Sequence, residues 1–227
     1  MTSLNELTGT YVLDTAHTEI GFTARHAMVT KVRGAFREFE GTATTGANLE
    51  GARIDVTIQA ASVDTKSADR DGHLRSGDFF DVETYPTIRF TSTSIEAVDA
   101  ETLRVAGDLT IKDTTKPVVI DFDFDGAALD PFGNERVGLS GKVEVNRQDF
   151  GLVWNAALET GGVLVSENVT LVFEVSAIKQ ADADAPADTP VEVVAEEKPL
   201  VVDAPAEAPK ATGLVGWVKN LFAGSNR

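Results

Sequence analysis

Apolar side chains recur at every second position through most of the first 180 residues. "PVVIDFDFD" (117–125) is the plainest case, with Val118, Ile120, Phe122 and Phe124 on one face and Asp121 and Asp123 on the other. "ARIDVTIQA" (52–60) sets Ile54, Val56 and Ile58 against Asp55 and Thr57, and "TEIGFTA" (18–24) aligns Ile20, Phe22 and Ala24. The same alternation runs through "PTIRFTSTSI" (86–95), "LRVAGDLTI" (103–111), "RVGLSGKVEVNR" (136–147) and "NVTLVFEVSAI" (168–178). A period of two is that of a half-buried strand. Turn signals at Gly46 and Asn48, Asp99 and Ala100, Gly126, and "DPFGN" (130–134) punctuate the runs.

Parallel strands need helical crossovers, and such patterns are mostly missing, so the sheet is expected to be antiparallel. A sheet of about eight strands stacks as a sandwich or closes as a barrel. Gly107 and Gly141 fall on apolar faces where a sandwich core favours bulk. Small residues there suit a bend, a taper or a close approach, and favour the barrel. Helical signal is confined to "RHAMVTKVRG" (25–34), read as one or two turns, and "KSADRDGHLRSGDFFD" (66–81), with Ser67 as N-cap and Gly77 at the C-cap.

Composition changes after residue 180. Five of the eight prolines lie in 181–209, a segment without aromatic residues that holds eight acidic side chains and one basic. It is read as a disordered acidic linker, because it has too little apolar surface to offset its ordering entropy. Residues 210–227 reverse the charge with three basic residues and no acidic ones. Leu214, Val215, Trp217, Val218, Leu221 and Phe222 share one helical face there, which predicts a short amphipathic helix for a membrane or partner surface. The chain as a whole carries a formal charge of −16, which argues against nucleic-acid binding by the main domain.

Candidate chemistry is sparse. "DRDGHLRSGDFFD" (69–81) gathers a histidine, two arginines and four aspartates. It lacks the paired-histidine spacing of a transition-metal site, and the D-x-D start of a calcium loop is not completed, so no metal is expected. There is no cysteine, hence no thiolate ligand or nucleophile. No G-x-S-x-G elbow presents a serine, and "GG" at 161–162 precedes a strand rather than a helix. The chain is therefore not expected to be an enzyme. Ten of the twelve phenylalanines, all but Phe132 and Phe222, join Trp154 as candidates for the interior; they describe either a filled core or an apolar cavity for a long hydrocarbon ligand.

Five stretches carry a family resemblance: "LDTAHTEIGFTARH" (13–26), "VRGAFREFEG" (32–41), "DRDGHLRSGDFFDVETYPTIRFTSTSI" (69–95), "LRVAGDLTIKDTTKPVVI" (103–120) and "NRQDFGLVWN" (146–155). In order and spacing they resemble the YceI-like family of polyisoprenoid- and lipid-binding proteins. The resemblance implies an all-β, lipocalin-like extended antiparallel barrel of eight strands over 1–180, with an apolar tunnel for a long isoprenoid chain, an isoprenoid quinone or a fatty amide. It implies no catalytic residues and no cofactor beyond the bound lipid. Its motifs point to His73, Leu74, Phe79 and Phe80 as shaping the tunnel or its mouth, with Phe22, Phe36, Phe39 and Phe90. His26 is the candidate to meet a polar headgroup, and Phe122 and Trp154 join the candidate lining.

Thr18 stands where serine is commoner in the family, and the export signal of many relatives is missing from "MTSLNELTGTYVLD". No run of about 18 apolar residues occurs either. The expected location is the cytoplasm, peripheral to the inner face of the membrane through the terminal helix. A homodimer is left open. The competing reading is an interaction domain with a filled core whose terminal helix recruits a partner or membrane.

Overall fold

The computed structural model describes residues 3–159 and 161–181. The expected linker, apart from Ala181, and the terminal helix with Leu214, Trp217, Val218, Leu221 and Phe222 lie outside the described residues.

Strands β1 (Gly9–Leu13) and β2 (Glu19–His26) lie along one neighbour, β11 (Asn168–Lys179). Leu13 pairs with Ala177 and Glu19 with Glu174, so β1 and β2 are halves of one wall strand split by the 14–18 loop. Strands β3 (Thr30–Phe36) and β4 (Phe39–Thr45) form the next broken strand, and β5 (Arg53–Gln59) with β6 (Val63–Asp64) the third. Then β7 (Thr87–Ala97), β8 (Thr102–Ile111), β9 (Thr114–Leu129) and β10 (Glu135–Asn146) follow as an antiparallel meander that ends on β11. The β1–β11 pairing closes the ring. The expected eight-stranded antiparallel barrel is thus the fold.

Both glycines that favoured a barrel have a direct reason. A Cβ on Gly107 would fall 2.4 Å from Phe90 Cζ, and one on Gly141 would fall 2.7 Å from Phe122 Cδ1. Each ring lies flat on the wall over a glycine instead of projecting across the lumen.

Three local expectations are corrected. Residues 25–34 form no helical turn: β2 continues to His26 and β3 starts at Thr30. A turn with positive φ at Ala27 and Met28 joins them, and β-branched Val29, Thr30 and Val32 suit a strand better than a helix. Gly126 is not a turn but a bulge inside β9, with φ 123° and a register shift opposite Gly138/Leu139. The helix of the third motif, α1 (Ala68–Arg75), ends at Ser76 and not at Gly77, and the Ser67 side chain makes no capping bond.

The ends of the barrel differ. At one, Leu4, Leu7 and Leu49 pack with Leu103, Val105, Ile120, Phe122 and Val137 as a plug. At the other, α1 and the loops over 76–86 and 147–166 bring Phe79, Phe150 and Leu152 onto the rims of β3, β5 and β7.

Candidate functional site

The inward faces of the wall enclose an apolar cavity of about 250 Å³. Alternate residues line it, such as Val169, Leu171, Phe173, Val175 and Ala177 on β11. Eight residue steps at about 3.3 Å make this wall roughly 26 Å long. Leu171, Phe173 and Val175 face inward yet are only half-buried. The space in front of them is not filled by protein, so the interior is a tunnel rather than a packed core.

Seven of the eleven residues singled out as ligand-binding line this tunnel: Phe22, Phe36, Leu74, Phe79, Phe80, Phe90 and Phe122. Four do not. His26 is exposed at the rim, bridged to Val165. Phe39 is buried beneath the 14–18 loop, where it lines a separate polar depression with His17, Arg37 and Glu174. His73 and Trp154 meet edge to face outside the tunnel, with ring centroids 4.6 Å apart, and both pack on Phe79 at 5.0 and 5.5 Å. They hold Phe79 in place from behind.

The charged cluster of 69–81 is spent on local structure. Asp71 is buried and accepts from Thr65 N at 2.8 Å and from the Thr65 hydroxyl. Arg75 donates to the Ala61 and Val63 carbonyls at 2.7 and 2.8 Å, and Asp78 bonds His73 Nε2 at 3.0 Å. These contacts tie α1 to the β5–β6 break. Among the described residues no group of three or more His, Asp or Glu side chains is arranged to hold a metal ion.

Among the described residues, the one charged residue of the lining escaped the sequence reading. Arg147 is 6% exposed and borders the tunnel. Its Nε donates to Ser166 O at 2.9 Å, Nη1 to Leu152 O and Nη2 to Val165 O at 3.5 Å, and the guanidinium lies 6.0 Å from the Phe79 ring. No carboxylate among the described residues pairs with it. Burial lowers its pKa, opposed by the charge of Glu167. These carbonyls take at most three of its five N–H groups. The local sequence explains the placement. Asn146 accepts from Gln148 N and caps a one-turn 3-10 helix over Arg147–Phe150, which Gly151 ends at φ 75°. The turn buries Arg147 and Phe150 together. Its signal was the N-R-x-x-F-G pattern closing a strand, an Asn cap and a left-handed glycine around a cation.

At the plugged end Tyr11 also borders the tunnel, and its hydroxyl reaches Glu135 Oε1 at 3.4 Å. Burial and the Glu135 charge push the phenol up to about 12. It is a neutral donor at any physiological pH.

The family model for the YceI-like domain matches residues 11–177. A UPF0312 protein of Vibrio cholerae is 38% identical over 145 residues, covering 63% of this chain and 77% of the relative. The crystal structure of a Campylobacter jejuni YceI protein superposes with a TM-score of 0.59 at 31% identity, over 74% of this chain and 97% of that one. A domain from Saccharophagus degradans described as polyisoprenoid-binding shares the fold, with a TM-score of 0.58 at 16% identity over 75% and 98% of the two chains. The closed barrel, its aromatic-lined tunnel and the match across all five motifs agree: the chain belongs to the YceI-like family.

Proposed function

We propose that the protein binds, stores or transports a long-chain isoprenoid lipid or a related amphiphile inside the barrel, and that it does so without catalysis. The observation that carries this reading is the apolar cavity of about 250 Å³, which inward apolar side chains line along roughly 26 Å of β11. Transfer of a hydrocarbon chain into such a space removes apolar surface from water at about 25 cal/mol per Å², with no polar group of the tail to satisfy. Arg147 supports an amphiphile over a plain hydrocarbon. Its free donors suit a head that accepts hydrogen bonds, a feature common to an isoprenoid quinone and a fatty amide. The terminal helix expected over 210–227 would hold the barrel near a membrane from the cytoplasmic side.

The test is native mass spectrometry of the full chain from its own source, with organic extraction of any bound molecule. A stoichiometric isoprenoid, quinone or fatty amide is the expected result. A protein that is empty and takes up no added long-chain lipid would overturn the reading in favour of an interaction domain.

A further inference from the structure

The β2–β3 hairpin is chemically unlike the rest of the barrel. In a chain of formal charge −16, the segment 21–34 holds Arg25, Lys31 and Arg33, with His26, and no acidic residue. Arg25 is the direct cross-strand partner of Lys31, and Arg33 sits one same-face position farther along β3. Ala24 and Phe22 line the tunnel, so all three cations point outward, and all three are exposed. None forms an ion pair with a carboxylate among the described residues. Like charges directly opposite on a sheet are destabilising, and no ion pair among the described residues offsets them.

The tip of the same hairpin is apolar. Met28 is 54% exposed and Val29 79%. They sit beside a tunnel rim: Ala24 and Val165 line the cavity, and His26, two residues past Ala24, bridges to Val165. Glu167 is the nearest acidic neighbour along that loop and is exposed.

We infer that the β2–β3 hairpin docks the barrel, rim first, on an anionic lipid bilayer, with Met28 and Val29 entering the interface and Arg25, Lys31 and Arg33 meeting the headgroups. A protruding apolar tip flanked by cations matches a soft anionic surface, where each cation contributes attraction and the apolar pair contributes insertion. A pocket on an acidic protein would instead favour a concave or flat apolar face. The inference goes beyond lipid binding in the tunnel and holds whichever molecule the tunnel takes. It also places the membrane against the rim, where a chain leaves one apolar environment for the other.

The test uses the full chain carrying Trp217→Ser and Phe222→Ser throughout, so that the terminal segment does not contribute. Co-sedimentation with phosphatidylglycerol vesicles is compared with phosphatidylcholine vesicles. The expected result is binding to the anionic vesicles that weakens with salt and falls on the order of 100-fold in R25Q/K31Q/R33Q, at about 5-fold per cation. In a Val29→Trp version of the same chain, tryptophan emission should shift to the blue on adding anionic vesicles. Equal binding with and without the three cations, or no emission shift, overturns the inference. So does retention on an immobilised acidic polypeptide without vesicle binding, which would assign the patch to an acidic protein. Loss of lipid uptake in solution without loss of vesicle binding would count against the tunnel reading alone.

Discussion

The ring of Phe22 lies on Gly34, its cross-strand partner, so closely that a Cβ on Gly34 would fall 2.4 Å from Phe22 Cζ and 2.8 Å from Thr65 Cγ2. The pair repeats as Phe122 on Gly141, and Phe90 rests on Gly107 in the same way. Large rings folded onto glycines give the barrel a smooth, wide interior. Gly34→Ala should therefore destabilise by about 1–3 kcal/mol, the cost of overpacking, and turn Phe22 toward the lumen. Chemical denaturation reads the first effect and lipid uptake the second. Adding Phe22→Leu should recover much of both.

Filling the lumen should have the opposite sign on stability. Val175 and Leu171 face unfilled space, so Val175→Phe or Leu171→Phe adds apolar contact without displacing a neighbour. We expect unchanged or higher thermal stability with lost uptake of a long-chain lipid. A loss of stability of the overpacking size would mean that the interior is already full.

Arg147 should separate folding from head selection. Arg147→Met leaves the Ser166 and Leu152 carbonyls without this donor, whereas the Val165 carbonyl keeps Asn155 Nδ2 at 2.8 Å; the cost is roughly 1–3 kcal/mol for each orphaned carbonyl that water does not reach. Arg147→Lys keeps the charge but not the planar fork, and should fold better. The measurement is the affinity ratio between a carbonyl-headed lipid and a hydrocarbon of equal length. It should fall toward one in both variants, and an unchanged ratio would remove Arg147 from head recognition.

Acid should loosen the seam between the 14–18 loop and the β9–β10 turn. Arg136 bonds Asp14, which also bonds His17 Nδ1 at 2.7 Å, and Arg136 Nε donates to Asp130 at 2.8 Å. The Arg136 hydrogen bond, helped by His17 and the Ala16 amide, lowers Asp14 to about 2. Asn134 first, then Arg136 and the Asn134 and Phe132 amides, hold Asp130 well below the carboxylate range. Both pKa values are depressed on folding, so their stabilisation is complete above the unfolded value near 4 and is lost as pH falls through the folded values. Stability should drop between about pH 4 and pH 2. Urea midpoints across that range should show a smaller drop in Arg136→Met, and an identical profile would dismiss the seam.

The alternating runs determined the wall strands because a half-buried strand repeats every two residues, whatever its neighbours. The aromatic and glycine positions on those faces were legible for the same reason, and so was most of the tunnel lining. Local pattern misled where two structures share a composition. "RHAMVTKVRG" holds residues tolerated in a helix, and the pairing of β2 with β3, with Val165 bridged to His26, makes it a hairpin. Gly126 reads as a turn by itself; its partner strand makes it a bulge.

Closure was beyond any local signal, since it depends on β1 meeting β11 across more than 160 residues of chain. The same holds for what the tunnel contains. An arginine after a strand is ordinarily a surface residue, and Arg147 turns inward because three carbonyls from the 152–166 loop receive it. His73 and Trp154 share the aromatic character of the lining, yet α1 and the 147–166 loop respectively place them behind Phe79. Sequence periodicity thus decided which face of each strand is apolar. Only the assembled ring decided which apolar faces touch one another and which look onto open space, because that depends on the distance across the barrel rather than along the chain.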